Sequence, residues 1–334
     1  MKYLTAKGPA PVMMRWVALV LALALLAAGS LGCARAPAPA PANDLKGLKI
    51  GLLPIIEALP FYVAAEKGYF AAEKLPVELV PFKSAADRDA GLQAGATDAQ
   101  VADLVAAALM VNAGVPVKAV SLALGATPAE GRFAILAAPG SGITSPGQLA
   151  GVDIGVSKNS IIEYATEQML VQKGIESKDI KYSSVPAIPV RFELLMKGQL
   201  KAATLPDPLA FLAERQGARL ILDDTKGDNL TQTVILFRQQ SLAEKGPSVS
   251  ALLRAYRRAV ADINANPDAY RGLLVEKGGL PEPIREQFKV DHFPDPQLPA
   301  RGDVERVTKW LFERGLTQQR LGYADLTDGG FLPR

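Results

Sequence analysis

Residues 48–82 read LKIGLLPIIEALPFYVAAEKGYFAAEKLPVELVPF, and the order of patterns within them decides the fold. Residues 48–54 are an apolar run of strand length, bounded by Pro54. Residues 60–73 carry apolar side chains at helical spacing, and Pro60 stands at the start, where a missing N–H is harmless. Residues 77–82 form a second apolar run. Strand, helix and strand in that order make a crossover unit with parallel strands.

The alternation continues toward the C-terminus. Residues 85–94 are predicted helical and end at Gly95, 98–101 are strand, 103–112 are helix ending at Gly114, and 117–122 and 133–138 are strands. A second series starts where Ser145, Pro146 and Gln148 form a capping-box pattern. Its strands are 152–156, 180–185, 202–205 and 220–222, separated by helices over 161–173, 189–197 and 208–216. Residues 233–237 return the chain as a strand, and 249–265, 267–277, 281–288 and 302–314 are mostly helical. The fold class is therefore α/β, with one series interrupted by a second.

On the N-terminal side, Lys2, Lys7 and Arg15 precede an uncharged apolar run over 16–28, then Gly29, Ser30, Leu31, Gly32 and Cys33. The run is shorter than the ~18–20 residues that span a bilayer, so it reads as an export signal. Leu31-Gly32-Cys33 resembles the lipobox of bacterial lipoproteins, with Ser30 where that pattern prefers Leu. The resemblance implies cleavage before Cys33 and a lipid on its thiol. Residues 34–42, ARAPAPAPA, have no bulky apolar side chain and suit an extended tether of about 3.1 Å per residue. Residues 1–32 are thus expected to be a lipoprotein signal peptide, and 33–46 the lipidated Cys33 with its tether.

Loss of Lys2, Lys7 and Arg15 with the signal brings the 37 basic residues level with the 34 acidic ones. A neutral mature chain lacks the cationic surplus that phosphate contacts need, so no nucleic-acid partner is expected. One Cys and one His, His292, leave no set for a disulfide or a multi-ligand zinc site. No metal or cofactor is expected.

Four segments carry a family resemblance: LPIIEALPFYVAAEKGYF (53–70), LQAGATDAQVADLVAAALMVNAGVPVKAV (92–120), SPGQLAGVDIGVS (145–157) and MKGQLKAATLPDPLA (196–210). In order and spacing they resemble the ABC-importer solute-binding proteins that include sulfonate, taurine, nitrate and thiamine-pyrimidine binders. The resemblance implies a two-lobe, type II periplasmic-binding-protein-like fold with two hinge strands, 133–138 and 233–237. Lobe one would comprise 47–136 and 237–334, and lobe two 137–236. It also implies a monomer that closes on a small solute and hands it to the transmembrane subunits of an ABC permease.

Ligands of open α/β sheets sit at the carboxyl ends of strands. The loops so placed offer Glu57, Phe61 and Tyr62 after the first strand, and Gln100 and Asp103 after the third. The second series offers Ser157, Lys158, Asn159 and Ser160, then Asp207; Thr233 approaches beside the second hinge. These residues, Lys158 apart, are the candidate ligand-binding set. Phe61 and Tyr62 suit core filling as well as stacking. Asp103, Ser160 and Asp207 suit helix N-caps as well as ligand contacts. Glu57 has no capping duty.

The charges bear on the ligand. An anion leaving water needs Arg, Lys or free helix N-termini, whereas these loops set Glu57, Asp103 and Asp207 against Lys158, with Glu163 in the first turn of its helix. The favoured solute is therefore an aminopyrimidine or another nitrogen heterocycle, and a sulfonate- or nitrate-type anion is the alternative, with Arg191 as the cation that would serve it. The yeast-type aminopyrimidine synthase is an enzyme of similar fold with a cysteine-rich motif and an active-site His. This chain has neither a second Cys nor a His in these loops, so no catalysis is expected.

Overall fold

The computed structural model describes residues 45–333. The signal segment, Cys33 and the Pro/Ala tract lie outside the described residues. The apolar runs become two five-stranded sheets. The first contains β1 (Leu48–Leu52), β2 (Val77–Pro81), β3 (Ala99–Asp103) and β4 (Val117–Leu124). The second contains β5 (Phe133–Ala137), β6 (Asp153–Val156), β7 (Lys181–Ser184), β8 (Ala202–Pro206) and β9 (Arg219–Asp223). β10 (Thr233–Arg238) returns to the first sheet.

Strand order is β2-β1-β3-β10-β4 in one sheet and β7-β6-β8-β5-β9 in the other, so the two match position for position. In each, one antiparallel strand is inserted between its third and fourth parallel strands. The register matches too: Gly51 pairs with Gln100, and Gly155 with Ala203. The segments predicted as hinge strands are thus interior strands of different sheets, and residues 133–136, read above with lobe one, pair within the second sheet. The crossings proper are residues 125–132 and 224–232. Short runs buried on both faces carry no mark of which sheet they join.

The helices, in chain order, are α1 (Leu59–Glu66), α2 (Tyr69–Ala72), α3 (Ala85–Gln93), α4 (Leu104–Asn112), α5 (Ile161–Val171), α6 (Ile188–Met196) and α7 (Leu209–Arg215). They continue as α8 (Gln239–Ala265), α9 (Arg271–Lys277), α10 (Arg301–Glu313) and α11 (Tyr323–Leu326). The single helix expected over 60–73 is split at Gly68, whose φ of 70° ends α1. Residues 281–288 give only the 3-10 turn Glu282–Ile284, since Pro281 and Pro283 remove two helical donors. Leu252, Tyr256, Val260 and Ile263 form the buried stripe of α8 against α1 and α2. A second apolar cluster runs from α4 on the first sheet to α5 on the second, with Trp310 of α10 edge-on to Tyr164 at 5.1 Å.

One arginine recurs at equivalent positions. Arg88 of α3 passes beneath Gly51 and donates from Nη1 to Val101 O at 2.8 Å; Arg191 of α6 passes beneath Gly155 and donates from Nε to Thr204 O at 2.9 Å. A Cβ on Gly51 would lie 3.5 Å from the Arg88 Cγ, and one on Gly155 3.4 Å from that of Arg191. Both acceptors stand two residues past the strand residue level with Ile50 or Ile154.

Candidate functional site

A cavity of about 320 Å³ opens between the carboxyl ends of the strands of both sheets. Leu53, Ile55, Phe133, Ile161, Ile162 and Phe192 make its walls largely apolar. Of the residues singled out from sequence, Glu57, Asp103, Ser157, Ser160, Asp207 and Thr233 line it.

Glu57 sits in the 3-10 turn Ile56–Ala58 that follows β1. It is 6% exposed and forms no ion pair among the described residues. Burial pushes its carboxyl up to about 7, against the pull of its own backbone N–H and with a further push from Asp291. Asp103 ends β3 and resolves its two readings as both: Oδ1 accepts the Ala106 N–H at 2.9 Å, capping α4, and the residue faces the cavity. Burial raises it to about 6, with Arg88 acting the other way.

On the opposite wall, the Ser160 Oγ accepts the Ile162 N–H at 3.2 Å as the cap of α5 and donates to Ser157 O at 2.6 Å. Asp207 is committed to protein partners. Arg132 donates to both its oxygens at 3.0 Å and to Glu214 at 2.8 Å, and Asp207 Oδ1 accepts the Phe211 N–H. Burial works against the Arg132 charge, but Asp207 and Glu214 outweigh it and hold the guanidinium above the usual range.

Four candidates lie elsewhere. Phe61 is buried against Tyr256, ring centroids 5.1 Å apart, because its face of α1 turns toward α8. Tyr62 packs beside the same core, and burial raises its phenol. Gln100 points under the first sheet, where Nε2 donates to Asp89 Oδ1 at 2.7 Å; that oxygen also takes Nε and Nη2 of Arg88 at 2.9 and 2.8 Å. Asn159 occupies the left-handed turn before α5, with φ 54°, and serves the loop through its backbone. Lys158 is exposed and outside the cavity wall.

Arg191 does not line the cavity either. It is fully buried, with Nε on Thr204 O, Nη1 on Val185 O at 2.6 Å, and Nη2 without a partner among the described residues. Burial lowers it to about 10, so it is cationic at neutral pH. Its acceptors Val185 and Thr204 are one and two residues along the chain from the lining residues Pro186 and Pro206. Glu163, expected to oppose an anion at α5, is instead engaged by Arg314 at 2.9 Å.

Lys83 and Arg88 are the lining cations that sequence reading missed. The signal was present, since Lys83 follows β2 and Pro186 follows β7, two strand ends that obey the same rule as the loops chosen. His292 is exposed, 3.6 Å from Glu130 and away from the cavity wall. Among the described residues, no group of His, Cys, Asp and Glu is placed to hold a metal, and no helix is long and apolar enough to cross a membrane.

Comparison with known proteins bears on this arrangement. Residues 55–270 match the family described as NMT1/THI5 like. The alkanesulfonate-binding protein SsuA of Xanthomonas axonopodis pv. citri, bound to MOPS, superposes with a TM-score of 0.70 at 20% identity, over 83% of this chain and 96% of that one. The periplasmic aliphatic sulphonate-binding protein SsuA of Escherichia coli gives 0.69 at 19%, over 84% and 92%. The periplasmic nitrate-binding protein NrtA of Synechocystis PCC 6803 gives 0.68 at 13%, over 82% and 83%. No curated protein matches the chain. The fold is the type II periplasmic-binding-protein fold.

Proposed function

The chain belongs to the NMT1/THI5-like family, and we propose from its cavity that it is the extracytoplasmic solute-binding component of an ABC importer. In this reading it is held to the membrane through Cys33 and takes up a small organic solute between two lobes. It releases the solute unchanged to a permease, and it is no enzyme. The likeness to sulfonate- and nitrate-binding proteins supports the transport class.

The favoured ligand is an aminopyrimidine or another nitrogen heterocycle. The observation that carries this choice is Glu57, a buried carboxyl without an ion-pair partner among the described residues, facing an apolar cavity beside Asp103. A flat heterocycle suits those walls, and its amino donors suit those carboxyls. Its ring acceptors suit the N-terminus of α5, where Ser160, Ile161 and Ile162 line the cavity. A sulfonate-type anion is the second reading, favoured by Lys83 and Arg88 on the wall.

A thermal-shift screen of pyrimidines, other nitrogen heterocycles, amines, sulfonates and nitrate tests the choice. A ligand at 100 times its Kd stabilises by about 2.7 kcal/mol, a readily visible shift. The expected hit is a heterocycle. Hits confined to sulfonates or nitrate would transfer the assignment to the second reading.

A further inference from the structure

Arg314 lies at the C-cap of α10, far along the chain from every lining residue, yet it is joined to the cavity by two hydrogen bonds in series. Its Nη2 donates to Glu163 Oε1 at 2.9 Å, and the other oxygen of Glu163 accepts the Asn159 N–H at 2.6 Å. Asn159 is the left-handed residue of the loop that carries Ser157 and Ser160 into the cavity wall. Arg314 Nη1 reaches Glu167 one turn further along α5, and the guanidinium stands 5.2 Å from the ring of Trp310.

We propose that Arg314 is a positioning residue for this wall, one that ties the C-terminal helix to the ligand loop. The inference rests on the reading of the cavity as the solute site. Glu163 and Glu167 are one helical turn apart, and their side chains are only 3% and 7% exposed, so a single cation compensates two buried acids. Tyr182 reaches Glu167 at 3.4 Å, and no other cation pairs with either acid among the described residues. Without Arg314 the two carboxylates repel, and Glu163 must turn toward water or take up a proton. Turning outward breaks its bond to the Asn159 N–H and frees the loop.

The link also spans the two sheets. α10 packs on α4 beside the first sheet, whereas α5 packs on the second. Arg306, two turns before Arg314, adds a bond at 2.9 Å to Asn229 in the crossing segment. A shift of α10 relative to the second sheet therefore pulls on the loop through Glu163.

Amide hydrogen exchange on the purified full chain without ligand tests the link. R314M is expected to speed exchange over residues 157–163 by about tenfold or more while β1 and β3 keep their protection, and R314K to recover part of it. Unchanged exchange over 157–163, or a uniform rise along the chain, would overturn the proposal. If R314M fails to fold, R314M combined with E163Q and E167Q decides, because neutral amides remove the repulsion and the amide oxygen that E163Q supplies still accepts the Asn159 N–H. A folded triple variant with native exchange supports the link, and an unfolded one overturns it. Because no ligand is added, failure here leaves the solute-binding reading standing, and failure of the ligand screen leaves this link standing.

Discussion

A carboxyl group set in an apolar wall destabilises a fold whenever it is ionised, and Glu57 is such a group. Its folded value of about 7 lies above the ordinary 4.5, so the native state holds its proton more tightly than the unfolded chain. The stability this confers is complete below about 4.5 and is lost as pH rises through about 7, on the order of 3 kcal/mol in all. Asp103, raised to about 6, acts with the same sign. Denaturant unfolding from pH 4.5 to 8 is expected to show stability falling with pH. Glu57→Gln is expected to remove its own share, chiefly the part between about pH 6 and 7, leaving the share of Asp103, Asp224 and Asp291, which burial raises to about 6. An unaltered slope in Glu57→Gln would place the titrating group elsewhere. At this scale the site was partly legible. Glu57 stood out because it follows a strand without a capping duty, and Asp103 and Ser160 because a residue at a strand end both caps the next helix and faces the cleft. Gln100 and Phe61 were misplaced because neighbours in sequence diverge in space: a strand sends alternate side chains to opposite faces, and a helix turns each residue by about 100°.

The elements were more legible than the residues. Buried strands register as apolar runs and their helices as periodic stretches, and both survive in a single sequence. What escaped was chemistry that interrupts a pattern, as Gly68 splits one helix and Pro281 and Pro283 reduce another to a turn. Caps set where each helix begins, and three of them, Ser84, Asp103 and Ser160, lie on the cavity wall. Ser160→Ala removes the acceptor for the Ile162 N–H and is expected to destabilise the chain by about 1 kcal/mol in denaturant titration. It is expected to weaken binding as well, since Ser160 lines the cavity. Loss of stability with undiminished affinity would reduce Ser160 to a cap.

Across the whole molecule, the two sheets repeat one strand order and one buried arginine, but the repeat differs in charge. Arg88 is clamped by Asp89, whereas Arg191 has only main-chain oxygens, and the carboxyls without ion pairs, Glu57 and Asp103, face the cavity from the first-sheet side. The first-sheet wall thus sets Glu57 and Asp103 beside Lys83 and Arg88, while the second-sheet wall carries Glu193 and the ion-paired Asp207, an arrangement that neither half-sequence reveals alone because it arises only when the halves meet. Their meeting depends on the crossings. Gly125 has φ 90°, and a Cβ there would lie 2.8 Å from Thr231 O in the other crossing segment. Gly125→Ala is expected to cost more than about 1 kcal/mol in equilibrium unfolding, through backbone strain and this clash. A neutral substitution would show that the crossings do not need this contact.

The proposed role of Glu57 is to accept a hydrogen bond from the ligand. Its most direct test is calorimetric titration at pH 8 of the heterocycle found by screening, into the wild-type chain and Glu57→Gln. If Glu57 accepts a charge-assisted hydrogen bond, the variant binds about tenfold more weakly or worse. Equal affinity in the two proteins would contradict the claim and leave the cavity without its assigned recognition group.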